Sequence, residues 1–554
     1  MKNPQHEQPP QPSPIVQETD FEPEFRVSRP READQQQLAG PETNINYGSI
    51  QPPPPPGSSI PTPAPPPSRA RILAPDLLRG LLMALMAIDH TAMSLNAWPH
   101  GTAISGETDS TPVTKWNRPA AYILRTLTHL CAPGFTFLLG MGVVYFGRSR
   151  TSLPLNLRWG DAKLAKHFLV RGIVLTLVSE VMGLVMSFGR FWVFNIVLIS
   201  LAVDYVLAGM IWMTISKTEM SLAVGLLKVL PEKKGDDPSE PLLRPRSEEE
   251  VESLEVAPDR KIIRAGTISW HVHNVLLVAL AVLTIWWNIW LSPTDGYCGA
   301  DEHGGRHEKL PNTVWVRMWF YQVFEGRIVS GFPPLAWISF AVLGLLYGRI
   351  ILARSWSAKA ISLGNATAGL TFALVFVSTR LFHFGNLSEG CLAMAEQGGG
   401  GSGTQGIMMM MKMKMKNQYL ASPASFFYLV KYPPDVAFWA FTMAGNHLLL
   451  ALFSAVPPHI ASRAFHVLLV FGTSALFFFV VHMFVAVGLA QAAVALVGHD
   501  VGRLDFFTGN PYGVDQLWAV LTTWGLVLAI LYPLCRWYGD FKRSKGPDSI
   551  WRFF

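Results

Sequence analysis

Charged residues are scarce in this chain, and long stretches of the sequence have almost none. Lysine, arginine, aspartate and glutamate together make up 15% of the 554 residues, against about 25% in an average soluble protein. Hydrophobic residues make up 50% of the chain. The apolar stretches reach the roughly 20 residues that a helix needs to cross the core of a bilayer. The scarcity of charge therefore excludes an ordinary water-soluble protein and indicates a membrane protein.

Further absences narrow the class of protein. The four cysteines include no Cys-x-x-Cys pair, so we expect neither a disulfide scaffold nor a metal site. The short segments of alternating hydrophobicity that are typical of a membrane β-barrel are missing. No basic stripe with interleaved aromatic residues is present, so nucleic acid is not an expected partner. The Pro- and Gln-rich N-terminus does not have the pattern of a cleaved signal peptide.

Long hydrophobic segments are present, and they predict about ten transmembrane helices. We therefore expect an all-α, polytopic integral membrane helical bundle. The ninth segment is long enough to form two helices. The predicted helices are 77–97, 123–146, 168–188, 191–213, 270–291, 331–352, 360–383, 435–455, 464–496 and 516–535.

Composition divides the chain into a membrane domain and polar segments. Residues 1–68 are rich in proline and predict a disordered cytosolic tail. The membrane domain is expected over 69–545, followed by a short C-terminal tail, 546–554. Two polar or low-complexity stretches, 217–265 and 385–430, predict disordered loop insertions within that domain.

Basic residues gather in every second connection between the predicted helices and in the segments that flank the first and last helices. Cytosolic loops of membrane proteins carry such an excess, so we expect both the N- and the C-terminus in the cytosol. The opposite face then receives Cys298 and Cys391, which in an oxidising lumen either pair or remain free thiols. It also receives Asn386, which begins the glycosylation sequon Asn-Leu-Ser.

The first predicted helix contains Asp89 and His90, and His100 follows it on the non-cytosolic side. A charge at the centre of a membrane helix costs roughly 2.5–3.5 kcal/mol, so such residues persist where they line a cavity, form pairs or do chemistry. A neutral imidazole can take a proton from an amine or hydroxyl or carry an acyl group, and a neighbouring carboxylate can orient it. Pro99 disfavours a continuous helix up to His100, but a chain that folds back after Trp98 would bring His100 close to Asp89. The alternative interpretation is that these histidines only pack against their neighbours.

Of the other intramembrane polar residues, Asp204 is the most costly, because it lies in an otherwise apolar helix. We expect it to have a partner such as Arg380 or a histidine.

Six short motifs occur in order along the membrane domain. They are Arg71–Gly80 (RILAPDLLRG) with Met86–His90 (MAIDH), Cys131–Gly140 (CAPGFTFLLG), Phe332–Trp337 (FPPLAW), Lys431–Asp435 (KYPPD), Phe477–His482 (FFFVVH) and Cys535–Tyr538 (CRWY). This series resembles the transmembrane acyltransferases and is most similar to the heparan-α-glucosaminide N-acetyltransferase catalytic-domain family.

The resemblance implies an enzyme that takes acetyl from cytosolic acetyl-CoA and acetylates an amine of a glucosamine-like sugar on the other side of the membrane. A lysosomal member of the family uses a histidine that follows an asparagine by eleven residues, and these positions correspond to His100 and Asp89. His100 would be the base or the acetyl carrier, and Asp89 would orient it. His90 is the alternative histidine, because bacterial-like relatives have an Asp-His pair there. Here an aspartate replaces the asparagine, and the segment 101–115 looks inserted.

The resemblance also implies partners and a compartment. The adenine-phosphate end of acetyl-CoA would need cations at the cytosolic entrance, and the candidates are Arg79, Arg148, Arg150 and Arg171. Other expected partners are membrane lipids, a small-molecule or sugar acceptor and, in a homodimer, a second copy. The expected location is an endomembrane of the vacuole or lysosome type, or the plasma membrane. Two other functions fit intramembrane charges equally well: a transporter or permease, or a non-catalytic membrane protein that kept the fold.

Overall fold

The computed structural model describes residues 73–102, 107–154, 157–230, 260–298, 313–392, 417–505, 509–546, 549 and 551. These residues are mostly helical, as predicted for an all-α protein. The helices are α1 (Ala74–Ser94), α2 (Pro119–Thr128), α3 (Cys131–Thr151), α4 (Asp161–Met186), α5 (Leu198–Val229), α6 (Arg260–Trp290), α7 (Val314–Phe320), α8 (Pro334–Ala353), α9 (Ala358–Phe382), α10 (Pro423–Phe426), α11 (Val436–Ala455), α12 (Pro458–Ala464), α13 (His466–Thr473), α14 (Ala475–Val497) and α15 (Leu517–Ser544). The strands are β1 (Val193–Asn195), β2 (Val323–Glu325), β3 (Ile328–Ser330), β4 (His499–Asp500) and β5 (Tyr512–Gly513).

Nine helical segments within the described residues are long and apolar enough to cross a membrane, so the protein is a polytopic helical bundle. They are Pro119–Thr151, which combines α2 and α3, Lys261–Trp290 within α6, and the helices α4, α5, α8, α9, α11, α14 and α15. Helix α1 is 21 residues long and contains Asp76, Arg79 and Asp89. It packs against α3, α11, α13, α14 and α15, and with the nine spans it accounts for the ten helices of the sequence prediction.

Helix α1 approaches α13 closely because both helices have a glycine at the crossing. A Cβ atom on Gly80 would collide with the backbone carbonyl of Leu468, and one on Gly472 would collide with the carbonyl of Asp76. Small residues of this kind allow helix backbones to pack tightly inside a membrane. The crossing fixes α1, and with it Asp89 and His90 one to two turns before its end.

The helix boundaries follow local sequence signals. Proline occupies the first turn of α1, α2 and α8, where its missing N–H has no intrahelical partner to lose. The carboxylate of Asp435 caps α11 by accepting a hydrogen bond from the backbone N–H of Phe438 (2.7 Å). The long ninth hydrophobic segment is broken at Ser474 into α13, which has eight residues, and α14, and of these two helices only α14 is long enough to span a membrane.

Several predicted boundaries are wrong. The helix predicted over 191–213 begins only at Leu198, because β1 precedes it. The predicted insertion 217–265 is shorter, since α5 continues to Val229 and α6 begins at Arg260. The described parts of the predicted insertion 385–430 are folded, and Tyr419 within them is fully buried. The predicted tail 1–68 and the central parts of both insertions lie outside the described residues.

A small three-stranded sheet joins the connections around α4, α5 and α8. Strand β3 is central: β1 pairs with it in parallel, and β2 pairs with it as an antiparallel hairpin. The Asn195 carboxamide donates to Ser330 Oγ (3.0 Å) and to the carbonyl of Phe332 (2.7 Å). These bonds hold the start of α5 beside the start of α8.

A disulfide and a polar network tie the connections at the end of the bundle where α1 finishes. Cys298 and Cys391 are joined, with 5.0 Å between their Cα atoms, which confirms pairing over two free thiols. Asn386 is buried; its carboxamide accepts from Arg380 Nη1 (2.7 Å) and donates to Glu389 Oε1 (2.8 Å). The sequon at Asn386 is therefore not an exposed glycosylation site.

Candidate active site

A cavity of about 650 Å³ opens beside the last two turns of α1 and brings the predicted residues Asp89, His90 and His100 together. One part of its wall is polar and includes Thr102, Thr108, Lys431, Arg503 and Asp505. Another part is apolar and includes Met86, Phe135, Ile196, Val197, Phe324 and Phe332. A cavity that combines an apolar wall with a few convergent polar groups is typical of a small-molecule site.

The chain reaches this arrangement because it turns back after α1. The helix ends at Ser94, and Asn96 and Gly101 adopt positive φ angles of 50° and 99°. His100 therefore does not extend α1, and its Nδ1 lies 3.8 Å from Asp89 Oδ1. The predicted proximity of His100 and Asp89 is confirmed by way of a reversal of the chain rather than a continuous helix.

Arg125 of α2 holds the carboxylate of Asp89 in place. Its Nη1 donates to Asp89 Oδ2 (2.9 Å), and its Nη2 donates to Glu107 Oε2 (2.7 Å). His129 also bonds to Glu107 Oε2 through Nε2 (3.0 Å). Arg125, Glu107 and His129 are all buried, so these charge-assisted bonds are shielded from water.

Glu107 is ionised within this network. Burial alone would raise the pKa of its carboxyl group, but Arg125 and His129 outweigh burial and hold that pKa well below its usual range. Arg125 therefore neutralises one of two carboxylates, and the network made by Arg125, Asp89 and Glu107 carries an excess negative charge.

Backbone hydrogen bonds fasten the segment that contains Glu107 to the segment before α11. The carbonyl of Glu107 accepts from the backbone N–H of Lys431 (2.9 Å), and the N–H of Asp109 donates to the carbonyl of Tyr432 (3.1 Å). These bonds place Lys431 at the cavity wall together with Asp89 and His100.

His100 is neutral at physiological pH. Burial and the neighbouring charge of Arg125 together lower the pKa of His100 to about 4, because the carboxylates of Asp89 and Glu107 only partly oppose them. About a third of the side chain (35%) remains accessible. With Nδ1 turned towards Asp89, Nε2 is the nitrogen left to accept a proton from a substrate.

His90 forms a hydrogen bond with a second histidine, His482, and this bond determines the tautomer of His90. The Nδ1 of His482 lies 3.1 Å from the carbonyl of Phe478, so this nitrogen carries the hydrogen. The Nε2 of neutral His482 must then accept from His90 Nδ1, which is 2.8 Å away. The Nε2 of His90 is consequently the ring nitrogen without a hydrogen.

The four arginines proposed for the acetyl-CoA entrance do not line this cavity. Arg79 pairs with Asp76 (2.9 Å), and Arg148 donates to the carbonyl of Leu352 (3.3 Å). The guanidinium groups of Arg150 and Arg171 lie over aromatic rings, those of Trp159 (4.9 Å) and Tyr205 (4.9 Å).

One predicted contact is wrong. Asp204 has no hydrogen-bond partner within the described residues, and Arg380 binds Asn386 instead. The fold therefore does not bring the side chains of Asp204 and Arg380 together.

Sequence reasoning missed the roles of Glu107, Arg125, His129 and Lys431. Arg125 had a detectable signal, because it is a charge inside a predicted membrane helix. Glu107 had none, because it lies in a connection where charge is common.

Neither protein-family models nor curated proteins show a match to this sequence.

Proposed function

We propose that this protein is a membrane acetyltransferase that moves acetyl from acetyl-CoA to an amine or hydroxyl acceptor, such as a glucosamine-like sugar, on the opposite side of the membrane. The observation that carries the proposal is the placement of a neutral His100 beside a fixed Asp89 in a cavity of about 650 Å³. A base of this kind is what acyl transfer to an amine requires.

The reaction balances with these groups. The amine nitrogen forms a bond to the acetyl carbon, and the carbon–sulfur bond of the thioester breaks. His100 Nε2 takes the proton from the amine and returns it to the departing thiolate, giving CoA and the acetylated acceptor. Asp89 stabilises the imidazolium formed at His100, and Arg125 keeps Asp89 oriented.

The acetyl donor and the acceptor would approach from opposite ends of the bundle. The basic connections favour the cytosol for both termini, and the disulfide between Cys298 and Cys391 fits an oxidising compartment at the cavity end. Arg79, Arg148, Arg150 and Arg171 belong to the basic end and are candidates for binding the CoA phosphates. The membrane would be a vacuole- or lysosome-like endomembrane or the plasma membrane.

The test is acetyl transfer by the purified protein in lipid vesicles, with labelled acetyl-CoA and glucosamine. We expect CoA release and acetylated glucosamine in the wild type, and a loss of roughly 10²–10⁴-fold in His100→Ala. His459→Ala, which removes an exposed histidine of α12, is the matched control and should retain activity. Absence of both acetyl-CoA binding and CoA release in the wild type would overturn the proposal, and solute uptake without CoA consumption would favour a transporter.

A further inference from the structure

Lys431 is a buried cation at the wall of the cavity, and none of the described carboxylates forms an ion pair with it. Its side chain is almost entirely buried, with 6% of the residue exposed. Its Nζ lies 5.2 Å from the ring centroids of both Phe332 and Tyr432, and all three residues line the cavity. Within the part of the chain that the structure describes, no aspartate or glutamate lies within ion-pair distance of this Nζ.

The position of Lys431 is fixed from both its backbone and its side chain. Its N–H bonds to the carbonyl of Glu107 (2.9 Å), and it forms a backbone bridge to Pro434. The two aromatic rings attract the ammonium group through their π faces, which substitutes for part of its lost hydration. The ammonium is therefore oriented before any substrate binds.

The carboxylates nearest in the network are already occupied. Arg125 bonds to both Asp89 and Glu107, so neither needs Lys431 to fill its lone pairs. The charge of Lys431 nevertheless reaches the base, because it contributes to the low pKa of His100. A fixed cation whose N–H donors bond to none of the described residues thus shares a cavity with the proton acceptor.

We propose that Lys431 Nζ donates a hydrogen bond to the carbonyl oxygen of the acetyl group and stabilises the oxyanion that forms when the acceptor attacks. This inference rests on the proposed acetyl transfer. During attack, the π electrons of the carbonyl move onto that oxygen, and they return as the carbon–sulfur bond breaks. A preorganised cation binds this transient charge more strongly than the neutral thioester, which lowers the barrier.

The competing explanation is that Lys431 only balances the excess negative charge of the network made by Arg125, Asp89 and Glu107. The two explanations differ in kinetics. Loss of an oxyanion donor lowers kcat and leaves the KM for acetyl-CoA nearly unchanged, whereas loss of a structural charge lowers the folded fraction.

The experiment compares Lys431→Met and Lys431→Arg with the wild type in the vesicle assay, per unit of folded protein. We expect kcat to fall roughly 10²–10³-fold in Lys431→Met, with a KM within about twofold of wild type, and a smaller loss in Lys431→Arg. A wild-type kcat in Lys431→Met would overturn the inference while leaving acetyl transfer intact. If the wild type itself releases no CoA, both proposals fail.

A chemical variant separates charge from packing. Lys431→Cys can be alkylated with 2-bromoethylamine, which rebuilds an ammonium at the length of lysine, or with iodoacetamide, which adds a neutral amide. The wild type, whose unpaired Cys131 and Cys535 are buried, receives the same treatments as a control. Recovery of kcat with the ammonium alone supports the proposal, and equal recovery with both reagents would reduce Lys431 to a packing role.

Discussion

Arg125 and Arg380 are two of the buried arginines in the membrane helices, and they differ in the groups that they contact. Arg125 bonds to Asp89 and Glu107, and Asp89 lines the cavity. Arg380 bonds to Asn386 and to the carbonyl of Tyr428, and it lies over two aromatic rings. None of the partners of Arg380 lines that cavity. A charge inside a membrane helix therefore does not by itself indicate a catalytic site. The groups that the charge contacts, and whether they line a cavity, distinguish the two cases.

The largest effect should come from removing the arginine that has the structural role. Arg380→Leu leaves the carboxamide oxygen of Asn386 and the carbonyl of Tyr428 without their donors in a buried region. Because each orphaned buried group costs about 1–3 kcal/mol, we expect a loss of about 3–5 kcal/mol in the free energy of unfolding. The measurement is chemical unfolding of the purified protein in detergent.

Arg354→Leu is the matched control, since Arg354 is exposed after the end of α8. It should change stability by less than about 0.5 kcal/mol. If Arg380→Leu were equally harmless, the structural role assigned to Arg380 would be wrong. If it were stable but inactive, the contrast with Arg125 would disappear.

The disulfide offers a second way to weaken the region around Arg380. Replacing Cys298 and Cys391 by serine opens a link between residues 93 positions apart, which should cost about 2–4 kcal/mol of stability. We expect a lower unfolding midpoint with little change in kcat for transfer, because neither cysteine lines the cavity. Reductant should lower the wild-type midpoint by a similar amount and leave the double variant unchanged; a reductant-insensitive wild type would contradict this.

The sequence predicts the aspartate and histidines of the cavity better than it predicts the partners of either arginine. Asp89, His90 and His100 are close in the chain, so a short-range pattern with Pro99 between them points to the same cavity that the structure forms. Arg380 gave only a generic signal, and its partner could not be found, because Asn386 and Tyr428 approach it through turns that have no hydrophobic periodicity.

The helices themselves follow from hydrophobic length, which is why the bundle was predictable while its connections were not. The small sheet, the continuation of α5 to Val229 and the folded segment around Tyr419 depend on contacts between segments distant in sequence. The position of Lys431 also depends on such a distant contact. The motif KYPPD was visible in the sequence, but backbone hydrogen bonds that no local pattern encodes place Lys431 against the Glu107 segment.

The pH dependence of transfer tests the Arg125 side of the comparison. Proton acceptance requires neutral His100, and its pKa is lowered to about 4, so the neutral form prevails above that value. We expect kcat to stay level from pH 7 to about 5 and to fall about tenfold per pH unit below about 4. The measurement is the pH profile of kcat for a hydroxyl acceptor, whose own protonation does not change in this range.

An acidic limb centred near the ordinary histidine pKa of about 6.5 would show that burial and Arg125 do not set the basicity of His100. His100→Ala should have no such limb in its residual rate, which provides the internal control.

The smallest effect concerns His482, which acts on the cavity only through His90. In His482→Leu, the Nδ1–H of His90 loses its acceptor, so both tautomers of His90 become populated. In His482→Gln, the side-chain oxygen of the new glutamine can still accept that hydrogen bond. We expect the ¹⁵N spectrum of histidine-labelled protein to show His90 protonated at Nδ1 in the wild type and in His482→Gln, and a mixture in His482→Leu. A halving of the correct tautomer would change any His90-dependent rate by only about twofold. A wild-type spectrum with His90 protonated at Nε2 would show that His482 does not fix the tautomer of His90. His90 would then resemble Arg380 as a residue with a structural role only.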